Sequence, residues 1–195
     1  MSVDGVTKPK RQIIVEMTIP KGKFLPIISW LIRLAQWKWL RGQKWKEVPS
    51  HVRIKFFDRK HEVWWVYEAS QSSLKLIGHD YVSSVTKVVK QYEHYITPEV
   101  KHKMVVKMNK ESGKPYGKLQ LVGLAIVKFF RAFGARIKNP FANKNKQEVC
   151  SEAVYWVLGE DECFKKALSK YDPDTIDLCD IIEAMELMKD KECKQ

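Results

Sequence analysis

The chain has 195 residues, 45% of them hydrophobic and 11% aromatic. That length suits one domain, 1–195, with a core that needs neither disulfides nor metal to hold it. The composition excludes a disordered or low-complexity polymer. The formal charge of +12 is uneven: 10 Lys/Arg against 3 Asp/Glu over residues 1–50, 18 against 7 over 51–144, and 7 against 13 over 145–195. Such a field draws anionic partners without naming them.

Residues 1–20 are expected to be partly flexible, although the run 12–19, QIIVEMTI, has the composition of a strand. Residues 24–40, FLPIISWLIRLAQWKWL, fit a helix with Pro26 in its first turn and Ser29, Arg33 and Gln36 forming one narrow polar stripe. It is too short and too charged to span a bilayer. The preferred reading is a helix buried on most of its surface. The alternative is association with a membrane surface through residues 24–40, because Trp and Lys/Arg sit well at a lipid interface.

Residues 51–57, HVRIKFF, and 63–69, VWWVYEA, read as two strands joined by 58–61, DRKH. If Asp58 and His61 close the turn, His51 falls opposite Glu68, with side chains on one face and Cβ atoms ~5 Å apart. An extended segment is expected over 85–96, then a helix from Thr97-Pro98 to about Asn109, and a turn over 111–117. Residues 118–134 predict a helix ending at Gly134. Residues 123–138 fit core packing better than a basic amphipathic arm. A helix from Cys150 to about Leu158 and a terminal helix within 172–188 complete the chain.

Cys150 stands where a Lys- and Asn-rich loop enters a helix. A helix N-terminus and a neighbouring imidazolium both favour the thiolate. A thiol hydrolase also needs an imidazole to move the proton and a polar group to hold that imidazole. His51 and Glu68 are the residues whose spacing offers both. The plainer readings are a semi-buried cysteine, a structural histidine, and a Glu68 that is solvated on an edge strand or paired with Arg53 or Lys55. Yet a carboxylate inside WWVYEAS is costly if buried alone.

The four cysteines include no CxxC pair and no zinc spacing, and no nucleotide fingerprint or HExxH is present, so no cofactor and no metal are expected. His61, His79, His94 and His102 read as surface or turn residues. The N-terminal residues lack the apolar core of a signal peptide. The expectation is a cytoplasmic chain with reduced thiols, membrane-associated at most through its surface.

CSEAVYWVL (150–158), GKPYG (113–117) and SHVRI (50–54) together resemble the nucleophile, Gly-x-Pro-Tyr and Ser-His-Val elements of the NlpC/P60 cysteine peptidase superfamily. With histidine before cysteine, and VYEAS (66–70) after the histidine strand, the order resembles the circularly permuted, papain-like branch of bacteria and phages, the YiiX-like hydrolases. The resemblance spans roughly residues 20–185. It implies an α+β fold with a small, mostly antiparallel sheet packed with helices, Cys150 as nucleophile, His51 as base and Glu68 as orienting group. It also suggests Tyr116 and Ser151 for the oxyanion or substrate. The chain departs from the pattern at Arg53, where members often carry glycine, and in lacking a legible Gly-Asp-Ile-Leu-like opening strand.

The expected function is therefore a cysteine amidase, peptidase, acyl hydrolase or acyltransferase working through an acyl-enzyme on a peptide, acyl-lipid or other anionic substrate. The alternative is an inert basic module for an acidic membrane surface or nucleic acid; nucleic acid is not favoured, because no recognition motif is legible.

Overall fold

Alternating apolar residues at Ile13, Val15 and Met17, and again at Val52, Ile54 and Phe56, build one face of the sheet into the core. The computed structural model describes residues 11–21, 27–37, 42, 44–69, 72–135, 137–142 and 147–189. Five strands pair in the order β4-β3-β2-β1-β5: β1 Arg11–Pro20, β2 His51–Asp58, β3 Val63–Ala69, β4 Leu74–Gly78 and β5 Thr86–Ile96. All four pairings are antiparallel. The run 12–19, read as a strand, lies within β1, which is held on both sides by β2 and β5, so the flexibility expected over 1–20 does not extend to residues 11–20. Residues 1–10 lie outside the described residues.

The β2–β3 hairpin corrects the expected register. Asp58 pairs with Val63, not His61, so four residues form the loop and Glu68 faces Arg53. The cause is local: an Asp58 carboxylate oxygen accepts the Lys60 N–H at 2.9 Å, the other meets His61 Nδ1 at 2.7 Å, and Glu62 takes φ 55°. This lengthened loop moves the pairing by two residues. A shift of two preserves the face, so His51 and Glu68 remain diagonal neighbours.

Among the described residues there are seven α-helices, and the fold is α+β. They are α1 Ile27–Trp37, α2 His79–Val85, α3 Pro98–Glu111, α4 Lys118–Ala132, α5 Cys150–Leu158, α6 Glu162–Leu168 and α7 Leu178–Lys189. Thr97 caps α3 by accepting the Val100 N–H, and Asp161 caps α6 by accepting those of Cys163 and Phe164. Helix α5 packs against β2 and β3, burying Ala153, Val154 and Val157 in the core with Val52, Ile54 and Tyr67.

Helix α1, expected to be buried on most of its surface, leaves part of its apolar surface exposed. Its polar stripe faces inward: Ser29, Arg33 and Gln36 are buried, while Trp30 is 46% and Leu34 45% exposed. The inward groups are used. Ser29 Oγ donates to Ser50 Oγ at 2.7 Å, and Arg33 Nε donates to the Val48 carbonyl at 2.9 Å. A second Arg33 nitrogen donates to the Trp45 carbonyl, and the guanidinium lies 4.5 Å from the Trp45 ring centre. Those contacts fix the segment that leads into β2. Residues 24–26 and 38–40 of the expected helix lie outside the described residues.

Helix α4 packs beside α1. It buries Leu124 and Val127 but leaves Phe129, Phe130 and the following Phe133 exposed, so core packing accounts for only part of 123–138. No helix among the described residues is long and apolar enough to cross a membrane.

Candidate active site

The N-terminus of α5 carries the nucleophile candidate. Val149 caps it without a side-chain hydrogen bond, which leaves first-turn N–H groups available. The Cys150 sulfur receives the backbone N–H groups of Ser151 and of Val52, the second residue of β2. Cys150 thus meets β2 at its first two residues.

His51 opens β2 and stands between Cys150 and Glu68, interacting with both. Its Nε2 lies 3.4 Å from Glu68 Oε2, a length at which charge contributes more than hydrogen-bond alignment. Burial alone would depress the imidazole, but the bonds to Cys150 and Glu68 and the charges on both outweigh it and lift His51 to about 10. For Cys150, burial pushes upward; the bond to His51, its positive charge and the two backbone N–H groups pull the thiol below its ordinary value. Both directions favour the thiolate–imidazolium form of the pair.

Glu68 is also held down: burial raises it, and His51, Arg53 and Lys75 together lower it more. Arg53 is fully buried behind it. Its Nε donates to Glu16 at 2.7 Å, one terminal nitrogen lies 2.6 Å from the same carboxylate, and the other donates to Thr86 Oγ1 at 2.9 Å and lies 3.8 Å from Glu68. A row Glu16–Arg53–Glu68 so runs across three neighbouring strands.

The GKPYG turn reaches the site through backbone pairing. Gly113 takes φ 90°, which suits a residue without Cβ. Lys114 O accepts the Leu74 N–H at 2.9 Å, and the Tyr116 N–H donates to Ser72 at 3.1 Å. Tyr116 also bridges in parallel to Glu148, two residues before Cys150. Its hydroxyl hydrogen-bonds to the Cys150 sulfur; burial, then the nearby thiolate charge, hold its pKa well above the ordinary tyrosine value. Tyr116 stays a neutral donor.

The structure brings Cys150, His51, Glu68 and Tyr116 together. Ser151 is adjacent, but its hydroxyl donates to the Ile176 carbonyl at 2.8 Å and serves that contact; its backbone N–H is what faces the sulfur. Cys179 is a contrasting thiol: burial pushes it up to about 12. Cys193 lies outside the described residues. Of the other histidines, His61 closes the hairpin loop, His79 starts α2 and His94 packs edge-on against Phe164 at 4.5 Å. His102 is exposed on α3. Among the described residues no group of three or more His, Cys, Asp or Glu is arranged to hold a metal ion.

Sequence reasoning missed Glu16. Its signal was present: a carboxylate between Val15 and Met17 in an apolar strand carries the same burial cost that singled out Glu68. Compared with protein-family models, with curated proteins and with solved structures, the chain matches none.

Proposed function

We propose that this protein is a cysteine hydrolase or acyltransferase of the circularly permuted, papain-like NlpC/P60 type. One observation carries the reading: a buried thiol at a helix N-terminus interacts with a half-buried imidazole, which lies 3.4 Å from a half-buried carboxylate. In an inert basic binding module that arrangement would have no use, and three desolvated ionisable groups would be retained at a cost.

The Cys150 thiolate attacks the substrate carbonyl carbon, forming a C–S bond as the carbonyl π electrons move onto oxygen. That oxyanion is met by the Ser151 N–H and the Tyr116 hydroxyl. Collapse breaks the bond to the leaving group, which takes the proton from imidazolium His51. Neutral His51 then removes a proton from water, or from an acceptor alcohol or amine. The new nucleophile displaces the thiolate, and Glu68 keeps the ring oriented throughout.

The partner side of the reading is a cytoplasmic enzyme meeting an anionic or membrane-associated substrate. Its support is the outward apolar surface of α1 and α4 on a chain of net charge +12. Incubation with p-nitrophenyl acetate tests the chemistry: the Cys150 peptide gains one acetyl group in the wild type, and the Cys150→Ala protein folds normally but releases no burst of nitrophenolate. An unmodified Cys150 peptide, with the burst intact in Cys150→Ala, would remove the reading.

A further inference from the structure

Tyr116 sits on a turn rather than on a helix or strand, so its hydroxyl is only as well placed as that turn. On one side the turn is laced to the start of β4. The Leu74 N–H donates to the Lys114 carbonyl at 2.9 Å, and the Gly113 N–H donates to the Leu74 carbonyl at 3.0 Å. Towards the nucleophile the backbone holds less. The Gly117 N–H donates to the Glu148 carbonyl at 3.1 Å and the Glu148 N–H to the Pro115 carbonyl at 3.3 Å, while Pro115 has no N–H to give.

The Lys114 side chain adds a further tie on that side. Its ammonium donates to Glu148 Oε1 at 2.6 Å and pairs with Glu111, the last residue of α3. Both carboxylates belong to buried residues, Glu148 at 1% exposure and Glu111 at 5%. Lys107 also pairs with Glu111, at 3.3 Å, but among the described residues the ion pair that reaches Glu148 is that of Lys114. One ammonium thus joins the end of α3, the 113–117 turn and the residue two before Cys150. The anchor is firm, because α3 buries Met104 and Met108 in the core.

Glu111 and Glu148 act on each other as like charges. Without the ammonium they either repel or take up a proton, and in both cases the tie is lost. The consequence falls on Tyr116, since a group that meets an oxyanion must lie within ~0.5 Å of its productive place.

We infer that Lys114 is a positioning residue for the oxyanion site: its ammonium, clasped between Glu111 and Glu148, fixes the 113–117 turn against the segment entering α5 and so holds the Tyr116 hydroxyl at the Cys150 sulfur. The inference rests on the Cys150 hydrolase reading. Lys114 itself touches neither the sulfur nor the substrate and acts through Tyr116.

The test is a double-variant cycle with p-nitrophenyl acetate, reading kcat and KM separately and the mass of the Cys150 peptide alongside. Lys114→Met lowers kcat on the order of 10- to 100-fold and leaves KM nearly unchanged, because the displaced hydroxyl serves the transition state. In a Tyr116→Phe background the same substitution lowers kcat by no more than about twofold further, as expected when one group acts through the other. Glu148→Gln, which keeps an acceptor oxygen for the ammonium, retains most of the wild-type kcat. Glu148→Leu removes the acceptor but not the ammonium and repeats the loss, so the test survives a poorly folding Lys114→Met. If Lys114→Met and Glu148→Leu both keep the wild-type kcat, or if Lys114→Met costs the same factor with and without the Tyr116 hydroxyl, the positioning role is wrong while the hydrolase reading stands. If the wild type leaves no acetyl group on Cys150, both fall.

Discussion

Arg53 of β2 pairs directly with Glu68 of β3, so the residue across the ladder from this carboxylate is the arginine, with His51 one diagonal away. The arrangement gives Glu68 two positive neighbours and lets it stay ionised while largely buried. It also makes Arg53 the main partner of Glu16, a residue 2% exposed whose other carboxylate oxygen lies 3.7 Å from Lys55 Nζ.

Removing Arg53 alone should therefore be severe. Arg53→Met leaves the buried Glu16 carboxylate with the more distant Lys55 ammonium at 3.7 Å and should cost about 3 kcal/mol in urea unfolding. Glu16→Met combined with Arg53→Met should recover most of that loss, since an apolar pair of similar size is nearly neutral in such a place. A double variant no more stable than the single one would mean that the charge on Glu16 is not the penalty.

Glu68→Gln separates orientation from folding. The carboxylate is one of the groups that raise His51, so without it the imidazolium deprotonates at lower pH. The alkaline limb of the activity profile should move down by about one pH unit, and kcat should fall on the order of 10- to 100-fold. An unshifted alkaline limb would show that Glu68 does not act through the ring.

Glu152 predicts a pH dependence of stability outside the catalytic pair. Burial, then the charges of Glu148 and Asp174, raise it from 4.5 to about 8. A raised carboxyl keeps its proton in the folded chain after the unfolded chain has released it. Stability therefore falls as pH rises from about 4.5 to 8, by up to about 1.4 kcal/mol per pH unit. Glu152→Gln should flatten that slope. Melting curves at pH 5, 6.5 and 8 read it directly, and parallel slopes in both proteins would refute the assignment.

Much of this was legible in the sequence, and the misses have physical causes. The strand composition of 12–19, 51–57 and 63–69, and the helix starts at Pro98, Lys118 and Cys150, are local features that the structure keeps. The hairpin register was not legible, because the Asp58 side chain builds a longer loop than the residue count suggests. Strand β4 and helices α2 and α6 are short, five to seven residues each, and their apolar patterns are too brief to show a period. The orientation of α1 was not legible for another reason: a polar stripe normally marks the solvent side, whereas Ser29 and Arg33 reach the 45–50 segment and turn Trp30 and Leu34 outward.

That outward face should bind lipid. Leu34→Glu and Phe133→Glu change exposed side chains, so each should alter stability by no more than about 0.5 kcal/mol. Together they should lower binding to phosphatidylglycerol vesicles at least tenfold, measured by flotation. Undiminished flotation would assign the attraction to the chain's net charge alone.

The central claim is that His51 makes a thiolate of Cys150. The most direct measurement is alkylation rate against pH, with mass spectrometry resolving each cysteine, in the wild type and in His51→Ala. The account predicts that Cys150 reacts at pH 6 at least tenfold faster than Cys163 and that His51→Ala abolishes the difference. Cys179, whose thiol is held up to about 12, should stay inert throughout. A Cys150 that reacts only as the pH approaches that of an ordinary thiol, with or without His51, would contradict it.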